Sequence, residues 1–255
     1  MKNVTFISVF TVLCVVSCGK QMKFQPKIVS AELIEVNVTE RSKNNEMSQW
    51  LVPYKTTFDN VMNIKIGDSE QELPLSFTET ESLLGNFIAD VMIDFAKMHG
   101  KKIDFAITNK GGLRGYLPEG AVTVGDVYAI FPFDNELVII TLSGKKVEQL
   151  CQEIAKQKGQ VTHGISMQIV DEKGINIQIS GSPLDVAKNY QVLTTDYLSF
   201  GNDKLFALAD YTDILPLGKP LREAIMEYIK KEHKNGRKIN AKLKNEVVIA
   251  STFAS

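Results

Sequence analysis

Glu81-Ser82-Leu83-Leu84-Gly85-Asn86-Phe87-Ile88-Ala89-Asp90-Val91-Met92-Ile93-Asp94-Phe95-Ala96-Lys97-Met98-His99 carries the strongest helix signal in the chain. Leu83, Leu84, Phe87, Ile88, Val91, Met92, Phe95 and Ala96 fall in pairs three and four residues apart, which makes one wide apolar stripe on a helix. Thr78 with Glu81 predicts a capping box at its start, and Gly100 predicts its end. Ile103 to Ile107 follows as a short buried strand. Asn109-Lys110-Gly111-Gly112-Leu113-Arg114-Gly115 then reads as a loop, too rich in glycine for either regular structure.

Working outward, residues 29–38 alternate as a strand whose phase slips at Leu33-Ile34, the mark of a bulge. Leu51, Tyr54, Phe58, Val61 and Met62 stand at helical spacing, and Ile64-Lys65-Ile66 turns strand-like. Downstream, 122–124 and 136–142 read as strands. Ser143-Gly144 opens a helix with Val147, Leu150, Cys151 and Ile154 on one face. Ile165–Val170 and Ile175–Ile179 pair as a hairpin. Val192–Thr195 is a further strand, Lys219-Pro220 opens a last helix through Glu232, and 247–250 closes the chain. Helices and strands mixed in this way predict an α/β or α+β layered domain.

The first residues predict export. Lys2 supplies a positive charge, and residues 4–17 form an apolar run without charge. That run is shorter than the ~20 residues a transmembrane helix needs and suits a signal-peptide core. Val15-Val16-Ser17-Cys18 resembles a bacterial lipobox, which predicts lipidation at Cys18 and a membrane link through acyl chains. An ordinary secretory signal with an incidental Cys18 fits the same run. The expected organisation is a signal peptide over 1–17, a lipidated cysteine and tether with a short strand over 18–45, and one domain over 46–255. Beyond Cys14 and Cys18 only Cys151 remains, so no internal disulfide is expected. With 29 basic against 30 acidic residues there is no charge excess to draw a nucleic-acid polymer.

Metal-assisted hydrolysis of phosphate esters needs several His and carboxylate ligands around one or two ions. The three histidines, His99, His163 and His233, are far apart in sequence, and none forms an Asp-x-His or His-x-His pair. A Ser-His-Asp triad would rest on His163 alone, with no Gly-x-Ser-x-Gly turn to present the serine. The expectation is no catalytic residue, no metal site and no cofactor in this chain.

Three loops instead carry polar and aromatic residues where a core would not place them: 108–114, 131–135 and 195–203. Residues 81–90, Asn109 to Arg114, Val124-Gly125-Asp126-Val127-Tyr128 with Pro132-Phe133, Tyr190-Gln191-Val192 and Asp196-Tyr197-Leu198 with Gly201-Asn202-Asp203 occur in that order between about 46 and 232. Together they resemble the C-terminal domain of the 5′-nucleotidase family. The resemblance implies a four-layer α/β/β/α fold that grips the nucleoside part of a nucleotide. It also implies that hydrolysis belongs to a metallophosphoesterase domain absent from this sequence.

Carried over by motif, Phe133 and Tyr197 would sandwich the base, although Phe133 also fits a plain core position. Asn109 and Asp203 would hydrogen-bond the ribose or base edge, Arg114 would meet ribose or phosphate oxygens, and Asn135 would touch the base edge. Gly111 and Gly112 would let the backbone approach the ligand, or simply make a tight turn. Asp126 and Tyr128 read as structural. Two departures stand out. Lys204 occupies the last position of a loop that is usually Gly-Gly-Asp-Gly, where left-handed backbone geometry disfavours it and predicts a rearranged loop. Thr78 stands near a further phosphate-binding arginine of some members.

The implied function is the nucleotide- or nucleoside-binding component of a split 5′-nucleotidase. It would be lipid-anchored in the cell envelope, at the outer membrane, and would serve nucleotide catabolism with a separate metallophosphoesterase chain holding the divalent metals. A stand-alone, non-enzymatic nucleotide-binding lipoprotein and a degenerate interaction module are the alternatives.

Overall fold

The computed structural model describes residues 45–76 and 80–250. The chain divides into two units, Met1–Trp50 and Leu51–Ser255. Of the first, only the opening turns of helix α1 (Asn45–Met62) are described. The expected signal segment, Cys18, the strand over 29–38 and Thr78 lie outside the described residues.

In the second unit α1 continues to Met62. Its spacing is helical as read, yet Leu51, Tyr54, Phe58 and Val61 are exposed, and Met62 is the residue of that stripe that packs on the core. The chain then runs β1 (Lys65–Ser69), β2 (Leu73–Pro74), α2 (Leu83–Met98), β3 (Phe105–Thr108), β4 (Tyr116–Leu117), β5 (Gly120–Thr123) and α3 (Val124–Ile130). It continues through β6 (Glu136–Ser143), α4 (Gly144–Lys156), β7 (Val161–His163), β8 (Ile165–Val170), β9 (Lys173–Ile179), β10 (Ser182–Pro183) and β11 (Asn189–Thr195). Last come α5 (Asp196–Ser199), β12 (Asp213–Pro220), α6 (Leu221–Lys234) and β13 (Val247–Ile249).

A five-stranded sheet, in the order β12-β6-β11-β3-β7, organises the unit. Its strands alternate two buried faces, as the period of two requires. Leu137, Ile139, Leu193 and Ala106 join one core with α2 and α6, whereas Val138, Ile140, Val192, Phe105 and Ile107 join a second. That second core is closed by Val147, Leu150, Cys151 and Ile154 of α4 and by one face of a four-stranded sheet, β10-β9-β8-β13. The sheets and helices of the expected mixed α/β domain are present. The helix α4 shares a single core with the two sheets. Cys151 is buried there, and that burial, with Glu148 nearby, pushes its thiol up to about 12, so it packs as a small apolar group.

Several elements differ from the sequence reading for local reasons. β12 is an edge strand that contains Pro216 and Pro220 and a register shift between them. Proline is tolerated there because an edge leaves backbone donors unpaired anyway. Pro220 therefore precedes α6 and does not lie within its first turn. Val124 begins a helix instead of ending a strand, because Thr123 and Asp126 form a reciprocal capping box. The loop at 110–112 closes into one 3₁₀ turn, and Val161–His163 pairs antiparallel with β3.

The cap of α2 also differs. Ser82 accepts the Gly85 amide at 3.0 Å, and the helix opens at Leu83. Glu81 is drawn elsewhere: its carboxylate accepts the amides of Lys244 (2.9 Å), Asn245 (3.1 Å) and Glu246 (2.7 Å) and the side chain of Asn86 (3.0 Å). Thr80 donates to the Val247 carbonyl. Together they seat the segment leading to β13. Burial opposes the Glu81 charge, but these hydrogen bonds outweigh it and hold the carboxyl below its ordinary 4.5. A depressed carboxyl stabilises the fold fully above the unfolded value and loses that contribution as pH falls from there through the lower folded value. Glu81→Gln should therefore cost about 2 kcal/mol at pH 7, the scale of hydrogen bonds to a charged group. In denaturant unfolding the gap from wild type should narrow as pH falls below 4.5; a gap independent of pH would show that the charge does not hold this segment.

Candidate functional site

Strand direction brings three loops to one edge of the large sheet. β3 and β11 run parallel, so their carboxyl ends, Thr108 and Thr195, lie side by side. β6 runs antiparallel to β11 and pairs Leu137 with Thr195, which puts the start of β6 at the same edge. The loops after β3, before β6 and after β11 therefore meet outside the carboxyl ends of the parallel pair, a place where α/β sheets commonly receive ligands.

Gly111, Arg114, Phe133, Asn135 and Tyr197 line one cleft there, of about 300 Å³. A narrow recess beside it adds Thr108, Asn109 and Gly112. Phe133 is 51% exposed and Tyr197 39%, so neither ring is core. Asp203 completes the set from beneath: one carboxylate oxygen accepts the side chain of buried Asn109, and the other accepts the Tyr197 hydroxyl at 3.0 Å. The structure thus gathers all eight residues singled out from the sequence. It also gives Asn109 and Asp203 each other as partners, and Asp203 in turn holds the Tyr197 hydroxyl. The bond to Asp203 pushes the Tyr197 phenol above its ordinary range.

The glycines make room for this network. A Cβ at Gly112 would come 2.8 Å from the Asn109 Oδ1, and one at Gly111 would come 3.2 Å from the Asp203 Oδ2. Arg114 spends one nitrogen, Nη1, on the carbonyls of Gly111 and Leu113, both at 2.7 Å. Among the described residues no carboxylate pairs with it. Its guanidinium lies 5.8 Å from the Phe133 ring centroid, so a largely uncommitted cation stands beside a stacking surface.

Two supports had no legible signal in the sequence. Asp196 accepts the amides of Glu136 (3.1 Å) and Tyr197 (2.7 Å), tying the second loop to the third. Gln160 accepts the Lys110 amide at 2.9 Å and backs the first loop from β7's approach. The histidines are occupied away from the cleft: His99 with the Phe95 carbonyl, His163 with Asp90 and Lys244, and His233 with Asp68. Among the described residues no group of three or more His, Cys, Asp or Glu is placed to hold a metal ion.

The loop at 201–204 keeps left-handed geometry despite its side chains, with φ of 77° at Gly201, 54° at Asp203 and 60° at Lys204. Lys204 adopts a left-handed conformation that its side chain disfavours. A left-handed residue with a Cβ costs roughly 1–2 kcal/mol, partly offset by the freedom glycine would lose on folding. Lys204→Gly should stabilise the domain by about 1 kcal/mol in denaturant unfolding. A destabilised variant would mean that the Lys204 side chain contributes more than its backbone strain costs.

A family model described as "5'-nucleotidase, C-terminal domain" matches residues 65–210, a span that contains all three loops. The chain is 27% identical over 231 residues to a 5′-nucleotidase of Vibrio vulnificus, covering 80% of this chain and 40% of that protein. It is 25% identical over 243 residues to Cell wall protein Lmo0130 of Listeria monocytogenes, covering 86% of this chain and 31% of that protein. A 5′-nucleotidase precursor from Thermus thermophilus shares the fold with a TM-score of 0.70 at 23% identity, over 81% of this chain and 43% of that one. The chain therefore spans less than half the length of these relatives. Since the match covers more than half of the sequence and encloses the whole cleft, the chain belongs to the 5′-nucleotidase family through that family's C-terminal domain.

Proposed function

We propose that the chain is the nucleotide- or nucleoside-binding component of a split 5′-nucleotidase, acting outside the cytoplasm with a separate metallophosphoesterase chain. One observation carries the reading: two half-exposed rings, Phe133 and Tyr197, share a cleft with the uncommitted side of Arg114. Rings of this kind stack on any base, and the guanidinium suits ribose or phosphate oxygens. The relatives extend well beyond the matched domain, which supports assigning hydrolysis and its metal ions to a part outside that domain. Export is supported by the apolar run over 4–17 and by likeness to a cell wall protein, and lipidation by Cys18 at the end of that run.

Magnitudes favour weak binding by the domain alone. Two stacked faces supply roughly 2–6 kcal/mol by analogy with single-strand binders, while association costs an estimated 4–15 kcal/mol. Polar contacts from Asn109, Arg114 and Asp203 must add the remainder, so affinity on the order of micromolar to millimolar is expected. A second chain closing over the phosphate would raise it.

The test mixes the purified chain with a metallophosphoesterase lacking this domain, from the same source, and measures phosphate release from AMP and UMP. Release should occur in the mixture and not from this chain alone. Phe133→Ala and Tyr197→Ala should each lower the activity of the mixture at limiting substrate about tenfold, the loss of one stacked face. Chelator-sensitive release by this chain alone would overturn the split reading. Nucleotide binding that persists while no partner confers release would favour a stand-alone binding lipoprotein.

A further inference from the structure

The loop that presents Phe133 is held from behind by a side chain that lines no wall of the cleft. Arg222, on the first turn of α6, is 9% exposed. Its Nη1 donates to the Phe131 carbonyl at 2.9 Å, and its Nη2 pairs with the Asp134 carboxylate. The guanidinium also lies over the Tyr128 ring of α3, 4.0 Å from the centroid. It therefore grips the loop on both sides of Phe133, at residues 131 and 134, against a helix that is itself packed in the core. The adjacent Leu221 amide donates to the Asn135 carbonyl at 2.9 Å and fastens the far end.

Two features make this arrangement more than a surface ion pair. The Nε of Arg222 is buried with no hydrogen-bond partner among the described residues, a cost seldom left uncompensated. The Asp134 side chain is 77% exposed, so the pair does not serve to neutralise a buried acid. What it does fix is the backbone that aims an exposed ring. A planar guanidinium with donors in a fixed fork can hold a carbonyl and a carboxylate while stacked on a ring; an ammonium cannot do all three.

We propose that Arg222 is a positioning residue: it keeps the Phe133 ring preorganised against the cleft and so sets affinity for the base without touching the ligand. This rests on the reading that Phe133 stacks on a base. Without the clamp the loop and ring would be ordered at each binding event, and that ordering weakens binding without removing any contact.

The test compares Arg222→Met, Arg222→Lys and Asp134→Asn with wild type. Asp134→Asn breaks the clamp at an exposed position and guards against a folding defect in Arg222→Met. Hydrogen exchange should quicken at the amides of Phe133, Asp134 and Asn135 in Arg222→Met and Asp134→Asn, with β6 protected as in wild type. Affinity for AMP and UMP should fall about fivefold, the scale of ordering one side chain on binding, while affinity for ribose 5-phosphate stays unchanged. Arg222→Lys, which can keep the pair with Asp134, should fall between. Unchanged exchange at 133–135 in both variants, or an equal loss for ribose 5-phosphate, would overturn the proposal. If wild-type protein binds none of the three ligands, the base-binding reading fails by itself, and the exchange arm still decides whether Arg222 holds the loop.

Discussion

The cleft depends on where β11 lies: parallel to β3 on one side and antiparallel to β6 on the other. No other combination of directions among these strands would bring Asn109, Phe133 and Tyr197 to one edge. The register is set from both faces of the sheet. Val192 faces the core shared with α4 and Leu193 the core shared with α2, so a slip of one residue would exchange their faces and disrupt both cores. The position of the loops is thus a consequence of apolar packing far from any ligand. β11 is also covered on both faces by helices or a second sheet, which leaves its carboxyl end as the place where the chain must turn out toward solvent.

From that edge outward, order passes to polar contacts. Asp203 divides its two oxygens between Asn109 and Tyr197, Asp196 ties Tyr197 to the start of β6, and Arg222 grips the Phe133 loop. Each of these charged groups makes its bonds to protein and leaves aromatic surface toward the cleft. The result is a cleft edge with two exposed aromatic surfaces held by polar contacts, and with Arg114, which pairs with no carboxylate among the described residues, beside the Phe133 ring. Gly111 and Gly112 belong to the same logic, because side chains there would collide with the network and not merely with a ligand. Lys204, beside Asp203, is left-handed against the preference of that residue type.

Much of this was legible in the sequence where a pattern is local. The apolar period of 83–96 and the apolar run within 136–142 mark a helix and a strand close to the observed bounds. β12 was hidden because Pro216, Gly218 and Pro220 break any strand pattern, and only pairing with β6 makes them one. α3 was hidden because seven residues with a glycine second carry too little period, although the Thr123–Asp126 box was present to be read. Glu81 was misplaced as a cap because its partners, Lys244 to Glu246, come from the far end of the chain. For the site, the family resemblance supplied the residue set, but the bonding within it was out of reach. Asn109 and Asp203 are 94 positions apart, and nothing in either motif says that they meet.

The central claim is that the two rings present a stacking surface for a base. Saturation-transfer NMR on this chain with adenosine reads that contact directly, because saturation passes from protein to the ligand protons nearest it. The strongest transfer should fall on the adenine protons H2 and H8, with less on the ribose, and it should collapse in a variant lacking both the Phe133 and the Tyr197 ring. Transfer that is strongest on the ribose, or that survives removal of both rings, would contradict a base-stacking cleft.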